Sequence, residues 1–279
     1  MGAFPNLYGL GADGIKNFEV LLADGRLINA NANENGDLYR ALKGGGSNFR
    51  IVTRFGIETH PLINVQYTIN LYNPEDYVEI IKATIAVQET IEDDPKIGLF
   101  TNFNHGFVAV SLLYGDTPAQ SPLAFEPFYN LTSLITTVVP ATNAISTVTT
   151  KVSRELYEEA YKSWIETSKS LPVGCVLHFT IQPMGKAGVQ AGKDRGENIL
   201  GLESVPQCWW VFTCEWPKDG SDDAAAQKAV DSSQKVLRSY GTENVKRMQD
   251  VAVKYDPEGI FQKLQHNGFL LRNTSEYLS

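Results

Sequence analysis

GLGADGIKNFEVLLADGRLINANANENGDLYRALKGGGSNFRIVT, residues 9–53, is the stretch on which the reading of the whole chain turns. Residues 17–23 (NFEVLLA) are β-rich and partly alternating, the pattern of a strand with one buried face. Asp24-Gly25 is a tight-turn dipeptide, and residues 27–31 return as the partner strand. Asp37 stands where it can cap a short helix running through Leu42. Gly44, Gly45 and Gly46 follow, then Ser47, Asn48, Phe49 and a β-branched run at 51–53. Glycine permits positive φ and close approach of the backbone to a ligand. A glycine loop entering a strand can offer N–H groups to a phosphate or a ring edge. A plain turn between helix and strand explains the same glycines, and both readings stay open. Neither GxGxxG nor GxxxxGK[ST] occurs, so neither a Rossmann turn nor a P-loop is indicated.

Beyond residue 60 the character changes. Residues 66–72 read as a strand, and Asn73 caps a helix that has Pro74 in its first turn and runs to about residue 92. Residues 96–103 and 107–114 form a hairpin around Asn104-His105-Gly106. Residues 118–128, 152–169 and 222–238 read as helical. Residues 131–150 read as a loop with short extended pieces, and 173–182 and 207–216 as long strands. The Gly/Lys-rich segment 183–201 reads as a mobile loop. Strands alternating with helices packed on one side predict an α+β fold with an antiparallel sheet covered by helices.

Composition narrows the function. At 279 residues with 43% hydrophobic content the chain can bury a substantial core, as one large domain or two lobes. A net charge of −8 and a pI of about 5.1 argue against nucleic acid or an anionic membrane as partner. No apolar run reaches the roughly 18 residues of a transmembrane helix. The first residues, MGAFPNLYGLGADG, lack a basic region and an apolar core, so no signal peptide is visible and localisation is left open. Two sequons occur, Asn130-Leu131-Thr132 and Asn273-Thr274-Ser275. Cys208 and Cys214 share one strand face roughly 20 Å apart, too far to bond, and Cys175 reads as a core residue. The four histidines are scattered, and no metal site is expected.

Strand alternation places Val176, His178, Thr180 and Gln182 on one face and Cys175, Leu177, Phe179 and Ile181 toward the core. On the next strand Trp209, Val211, Thr213 and Glu215 oppose Cys208, Trp210, Phe212, Cys214 and Trp216. His178 and Glu215 are the candidate catalytic pair, one of them a general base; the alternative is an ordinary solvated sheet face. The tryptophans are more often core than stacking platform.

The order GLGADGI, a DGR hairpin, then DLYRALKGGGSNFRIVT resembles the berberine-bridge-enzyme-like family of FAD-linked oxidases, of the vanillyl-alcohol-oxidase type, whose pattern is close to GLAADN, VLADG and DLFWALKGGGGNFGIVT. Tyr255-Asp256-Pro257-Glu258-Gly259-Ile260-Phe261-Gln262 matches the family's closing YDPxxxFQ, and Gln182-Pro183-Met184 with Asn198-Ile199-Leu200-Gly201 resembles its fungal members. The resemblance implies a PCMH-type FAD-binding domain, of which residues 1–62 and 241–279 are parts, and a substrate domain at 63–240 whose sheet roofs the flavin. It implies FAD as cofactor, with Gly44, Gly45, Gly46, Asn48, Ile51, Val52 and Tyr255 near it, and an alcohol, amine or sugar-like small molecule as substrate. The family's main phosphate loop and flavin-bonding histidine precede its GLAADN-like segment, and a tyrosine-bearing strand precedes its last helix. Neither is found here, and Arg50 stands where the family has glycine. Three readings follow: an FAD-linked oxidoreductase, incomplete as an isolated chain; a flavin-free binding or scaffold module of a secondary-metabolite pathway; and half of a split or truncated enzyme that either self-associates or takes an N-terminal lobe from a partner.

Overall fold

The computed structural model describes residues 4–46, 48–49, 51–60, 65–116, 120–138, 148–151, 154–171, 174–215, 240–264 and 270–271. The chain divides into two compact units, Met1–Leu7, Leu62–Gly188 and Ser204–Gln234 against Tyr8–Pro61, Val189–Glu203 and Lys235–Ser279.

The second of these holds the opening motif. Strand β1 (Ile15–Leu21) pairs antiparallel with β2 (Leu27–Asn31) on one side and β3 (Ile51–Ile57) on the other. Phe18 and Val20 point into the core, and Asn17 and Glu19 point away, as period-2 alternation requires. Gly25 turns the hairpin at φ 83°, and the Asp24 carboxylate accepts from the Arg26 N–H at 3.1 Å. After the single-turn helix α1 (Pro5–Tyr8) at the head of the chain, helix α2 (Gly36–Leu42) buries Leu38, Tyr39 and Ala41. Its cap is Asn35, in the left-handed region at φ 51° and without a side-chain capping bond. Asp37 lies one residue inside the helix and is not the cap. Its carboxylate is taken up by Tyr255 Oη at 2.8 Å and Lys254 Nζ at 2.6 Å, a long-range pairing that local spacing cannot signal. The Thr242–Tyr255 helix buries Val245, Met248, Val251 and Ala252 on one stripe.

The first unit is a seven-stranded antiparallel sheet. Its strands are β4 (Gln66–Tyr72), β5 (Ile97–Asn104), β6 (Phe107–Tyr114), β7 (Ile135–Val138), β8 (Val148–Lys151), β9 (Val176–Met184) and β10 (Gln207–Glu215), in the order β7-β4-β6-β5-β9-β10-β8. Helices α3 (Tyr77–Thr90), α4 (Glu126–Tyr129) and α5 (Arg154–Lys169) bury one face of it. The Asn73 side chain accepts from the Glu75 N–H at 3.2 Å at the head of the short 3-10 turn Pro74–Asp76, which leads into α3. In α5 the buried residues Tyr157, Ala160, Tyr161 and Trp164 fall at helical spacing, and Trp164 Nε1 donates to Leu177 O at 2.8 Å. The expected helix at 118–128 is shorter, a 3-10 turn at Leu123–Phe125 followed by α4.

Segment 183–201 is not a loop throughout. Pro183 and Met184 end β9, and Lys186–Asp194 is helix α6. Its glycines lower helix propensity and hid it from sequence reasoning. They are there for close packing: a Cβ on Gly188 would meet Pro5 O at 2.8 Å, and one on Gly192 the Asp13 carboxylate at 2.6 Å. Cys175 is half-buried and lies just before β9; the core thiol is Cys208. Helices α7 (Thr242–Tyr255, described above) and α8 (Ile260–Leu264) close the order. Residue Arg50 and the expected helix at 222–238 lie outside the described residues.

Candidate functional site

The face of the large sheet turned away from α3 and α5 carries the polar residues of β5, β9 and β10. Register sets His178 opposite Thr213, Thr180 opposite Val211, and Gln182 opposite Trp209; on the other side Asn102 lies opposite Thr180. His178 therefore sits between β5 and β10. Its Nδ1 is 2.6 Å from Asn104 Oδ1, and its Nε2 is 3.3 Å from Glu215 Oε1. With the Asn104 oxygen as acceptor, Nδ1 carries the ring proton and Nε2 keeps its lone pair. The structure thus brings the two catalytic candidates together and adds Asn104 as the residue that orients the ring. Glu215 is 71% exposed, so water screens most of its charge.

Two rungs along the same face the polar groups are buried and unused. Gln182 is 1% and Trp209 4% exposed. Among the described residues neither Gln182 Nε2 nor Oε1 nor Trp209 Nε1 has a hydrogen-bond partner, and neither do Asn102 Oδ1 and His178 Nε2. A buried polar group without a partner costs about 1–3 kcal/mol. Several on one face are what a surface made to hydrogen-bond something else looks like. Sequence alternation had put Gln182 on this face. It missed Asn102, Asn104 and the indole N–H of Trp209, although the polar alternation of TNFN at 101–104 was there to find the first two.

The glycine loop is built differently. Gly44 N–H donates to Leu42 O at 3.0 Å and Gly45 N–H to Ala41 O at 2.9 Å, so these two donors are consumed within the turn. A Cβ on Gly44, at φ 116°, would strike Leu200 at 2.7 Å, and one on Gly45 would strike Ala41 O and the Phe49 ring. Asn48 is fully buried. Its Nδ2 donates to Gly45 O at 2.8 Å, and its Oδ1 accepts from Leu271 N at 3.0 Å and Gln262 Nε2 at 3.1 Å. Asp256 caps α8 through the N–H groups of Ile260 (2.8 Å) and Phe261 (2.9 Å). The closing YDPEGIFQ motif thus has a structural cause, a capping carboxylate and a glutamine that fastens the glycine loop. Of the residues expected near a cofactor, Gly44, Gly45, Asn48 and Tyr255 are engaged inside the unit. Gly46 (φ 65°) and Ile51, 54% exposed, remain on open surface, whereas Val52 sits opposite Val20 and packs against the core. An isoalloxazine ring needs an apolar wall and close backbone, and Gly46 and Ile51 have those features.

Sequence reasoning did not find a buried charged cluster beside the loop. Asp13, fully buried, accepts from Leu10 N at 2.9 Å and Asn198 Nδ2 at 3.0 Å. Lys43, fully buried too, donates from Nζ to Arg195 O at 2.9 Å and lies 4.1 Å from the Tyr39 ring centroid. Burial pushes its ammonium down to about 8, with the Asp13 charge pulling the other way. Among the described residues no cluster of His, Cys, Asp and Glu gathers to hold a metal, and no helix is long and apolar enough to cross a membrane.

No family profile matches the chain. It is 33% identical to an FAD-dependent monooxygenase of Arthrobotrys oligospora over 96% of its own length and 61% of the relative's. It is 26% identical to the bifunctional solanapyrone synthase of Alternaria solani, over 96% and 61%. The chain thus spans about three fifths of the length of these relatives. Among solved structures, the xylooligosaccharide oxidase of Myceliophthora thermophila superposes with a TM-score of 0.68 at 17% identity, over 94% of this chain and 67% of that one. The 6-hydroxy-D-nicotine oxidase of Arthrobacter nicotinovorans superposes with a TM-score of 0.67 at 16% identity, over 94% and 68%. The BBE-like 1 protein of Physcomitrella patens gives 0.64 at 14%, over 92% and 66%. In sequence the chain is similar to fungal FAD-dependent monooxygenases over about three fifths of their length, and its fold is the one these oxidase structures share.

Proposed function

We propose that the chain is the substrate-binding and part of the cofactor-binding portion of an FAD-linked oxidoreductase acting on a neutral, hydrogen-bonding small molecule. The observation that carries this reading is the row of buried polar atoms, unpartnered among the described residues, on the sheet face turned away from α3 and α5, led by Gln182 and Trp209. Gln182 offers one donor and one acceptor side by side, and Trp209 a further donor. Among the described side chains on these three strands there is no lysine or arginine, so the face suits hydroxyls, carbonyls and amides better than carboxylates or phosphates.

Gly46 and Ile51 are the residues that would hold the flavin ring. FAD, when bound, supplies the hydride acceptor that no side chain can provide. The chain's own part is to orient the substrate and remove a proton. His178 Nε2 takes it, Asn104 Oδ1 fixes the ring through Nδ1, and Glu215 lies where it favours the imidazolium once formed. The buried Gln182–Trp209 rung holds the substrate's polar end and keeps that end from water.

The test is oxygen uptake by flavin-loaded protein over a panel of alcohols, amines and oligosaccharides, for wild type and His178→Gln. Losing a general base removes about 10²- to 10⁴-fold of rate. The proposal expects a fall of that order at unchanged flavin content. Equal rates for the two proteins would remove His178 from the chemistry.

A further inference from the structure

One sequence motif has no part in the oxidoreductase reading, the sequon Asn130-Leu131-Thr132. Asn130 follows α4 as its C-cap, at φ −81° and ψ −7°, and its backbone N–H returns to Glu126 O. Asn130 and Thr132 are exposed, and no regular element runs from residue 131 to 134. Neither the Asn130 amide nor the Thr132 hydroxyl has a side-chain hydrogen bond among the described residues, so both groups that define an acceptor sequon are free.

A second observation concerns what surrounds it. Strand β7 is an edge of the seven-stranded sheet, paired only with β4 among the described residues. Leu123 is 83% exposed, Leu134 60% and Ile135 56%, and Tyr129 is exposed as well. An uncovered apolar edge strand is a template for pairing with another chain, and natural proteins blunt such edges. Among the described residues of this edge no lysine, proline or inward charge does so: residues 134–138 read LITTV.

We propose that Asn130 is an N-glycosylation site whose oligosaccharide shields the β7 edge. The donor is an oligosaccharide linked to a polyprenyl pyrophosphate. The bond from sugar C1 to Asn130 Nδ2 forms, the C1–O bond to the pyrophosphate breaks, the polyprenyl pyrophosphate leaves, and the amide proton goes to a base of the transferase. The acceptor amide is already at the surface and needs no unfolding of the core to be reached. The proposal also places the chain in the secretory lumen at the moment of modification.

The test uses the full chain behind a cleavable leader, translated into microsomes and scored only on protease-protected product. Wild type is expected to carry a glycan that an endoglycosidase removes, with peptide mapping giving Asn130. Thr132→Ser is expected to retain it, and Asn130→Gln and Thr132→Ala to lose it. Protected wild-type chain without a glycan at Asn130, including chain modified only at Asn273, overturns the proposal. Secreted Asn130→Gln protein is expected to self-associate at concentrations where the glycosylated form is monomeric by light scattering. A glycan at Asn130 with identical association of the two forms would overturn the shielding role.

Discussion

Lys43 carries the sharpest consequence at the scale of a single residue. Its ammonium is fully enclosed, with one carbonyl and one ring for company, and burial holds it at about 8. In the unfolded chain a lysine titrates near 10.4. Because the folded value lies below the unfolded one, the unfolded state binds more protons between the two. Stability then rises as pH climbs from about 8 to about 10.4, and the penalty for burying the charge is complete below 8. That penalty is on the order of 3 kcal/mol at most. Lys43→Met cannot titrate. Denaturant midpoints at pH 7 and pH 9.5 should show wild type gaining on Lys43→Met as pH rises; parallel midpoints would mean the lysine is not buried charged. No local pattern signals this cluster, since Asp13, Lys43 and Arg195 lie far apart in the chain and converge only through the fold. The glycines at 9 and 192 were the one visible sign, each required because a Cβ would meet Asp13.

At the scale of elements the polar sheet face makes the strongest claim. A side chain kept for the fold should cost stability when removed. One kept for a ligand should cost function and relieve the fold. Gln182→Leu removes a buried amide with no partner among the described residues, so it should be neutral or stabilising by about 1 kcal/mol. It should also raise KM for the substrate while leaving flavin content alone. A loss of more than about 1 kcal/mol in urea unfolding would assign Gln182 to the fold. Much of this region was legible in advance. Strand 66–72, the hairpin at 104–106 and the two faces of 176–182 follow from alternation, because each strand has one face on the helices and one away from them. Helix α6 was not legible, since its two glycines, Gly188 and Gly192, answer to packing partners distant in sequence. The cap at Asn35 was missed because asparagine there takes a left-handed conformation, while the more usual capping residue, Asp37, is held by Tyr255 and Lys254.

At the scale of the whole molecule, the three motifs behind the family resemblance have separate physical jobs. The DGR hairpin shapes the small sheet, the glycine loop packs on Leu200, and the closing motif fastens that loop through Gln262 to Asn48. All three lie in the unit that would carry the cofactor. What they leave open for a flavin is a wall of Gly46 and Ile51 beside the small sheet. The cofactor claim therefore stands or falls on that wall. The measurement is a titration of the purified chain with FAD, read by flavin fluorescence, for wild type and for Ile51→Asp. The account predicts a saturable change with wild type that weakens at least tenfold, about 1.4 kcal/mol, in the variant. No saturable change with wild type, or the same curve for both proteins, would contradict it.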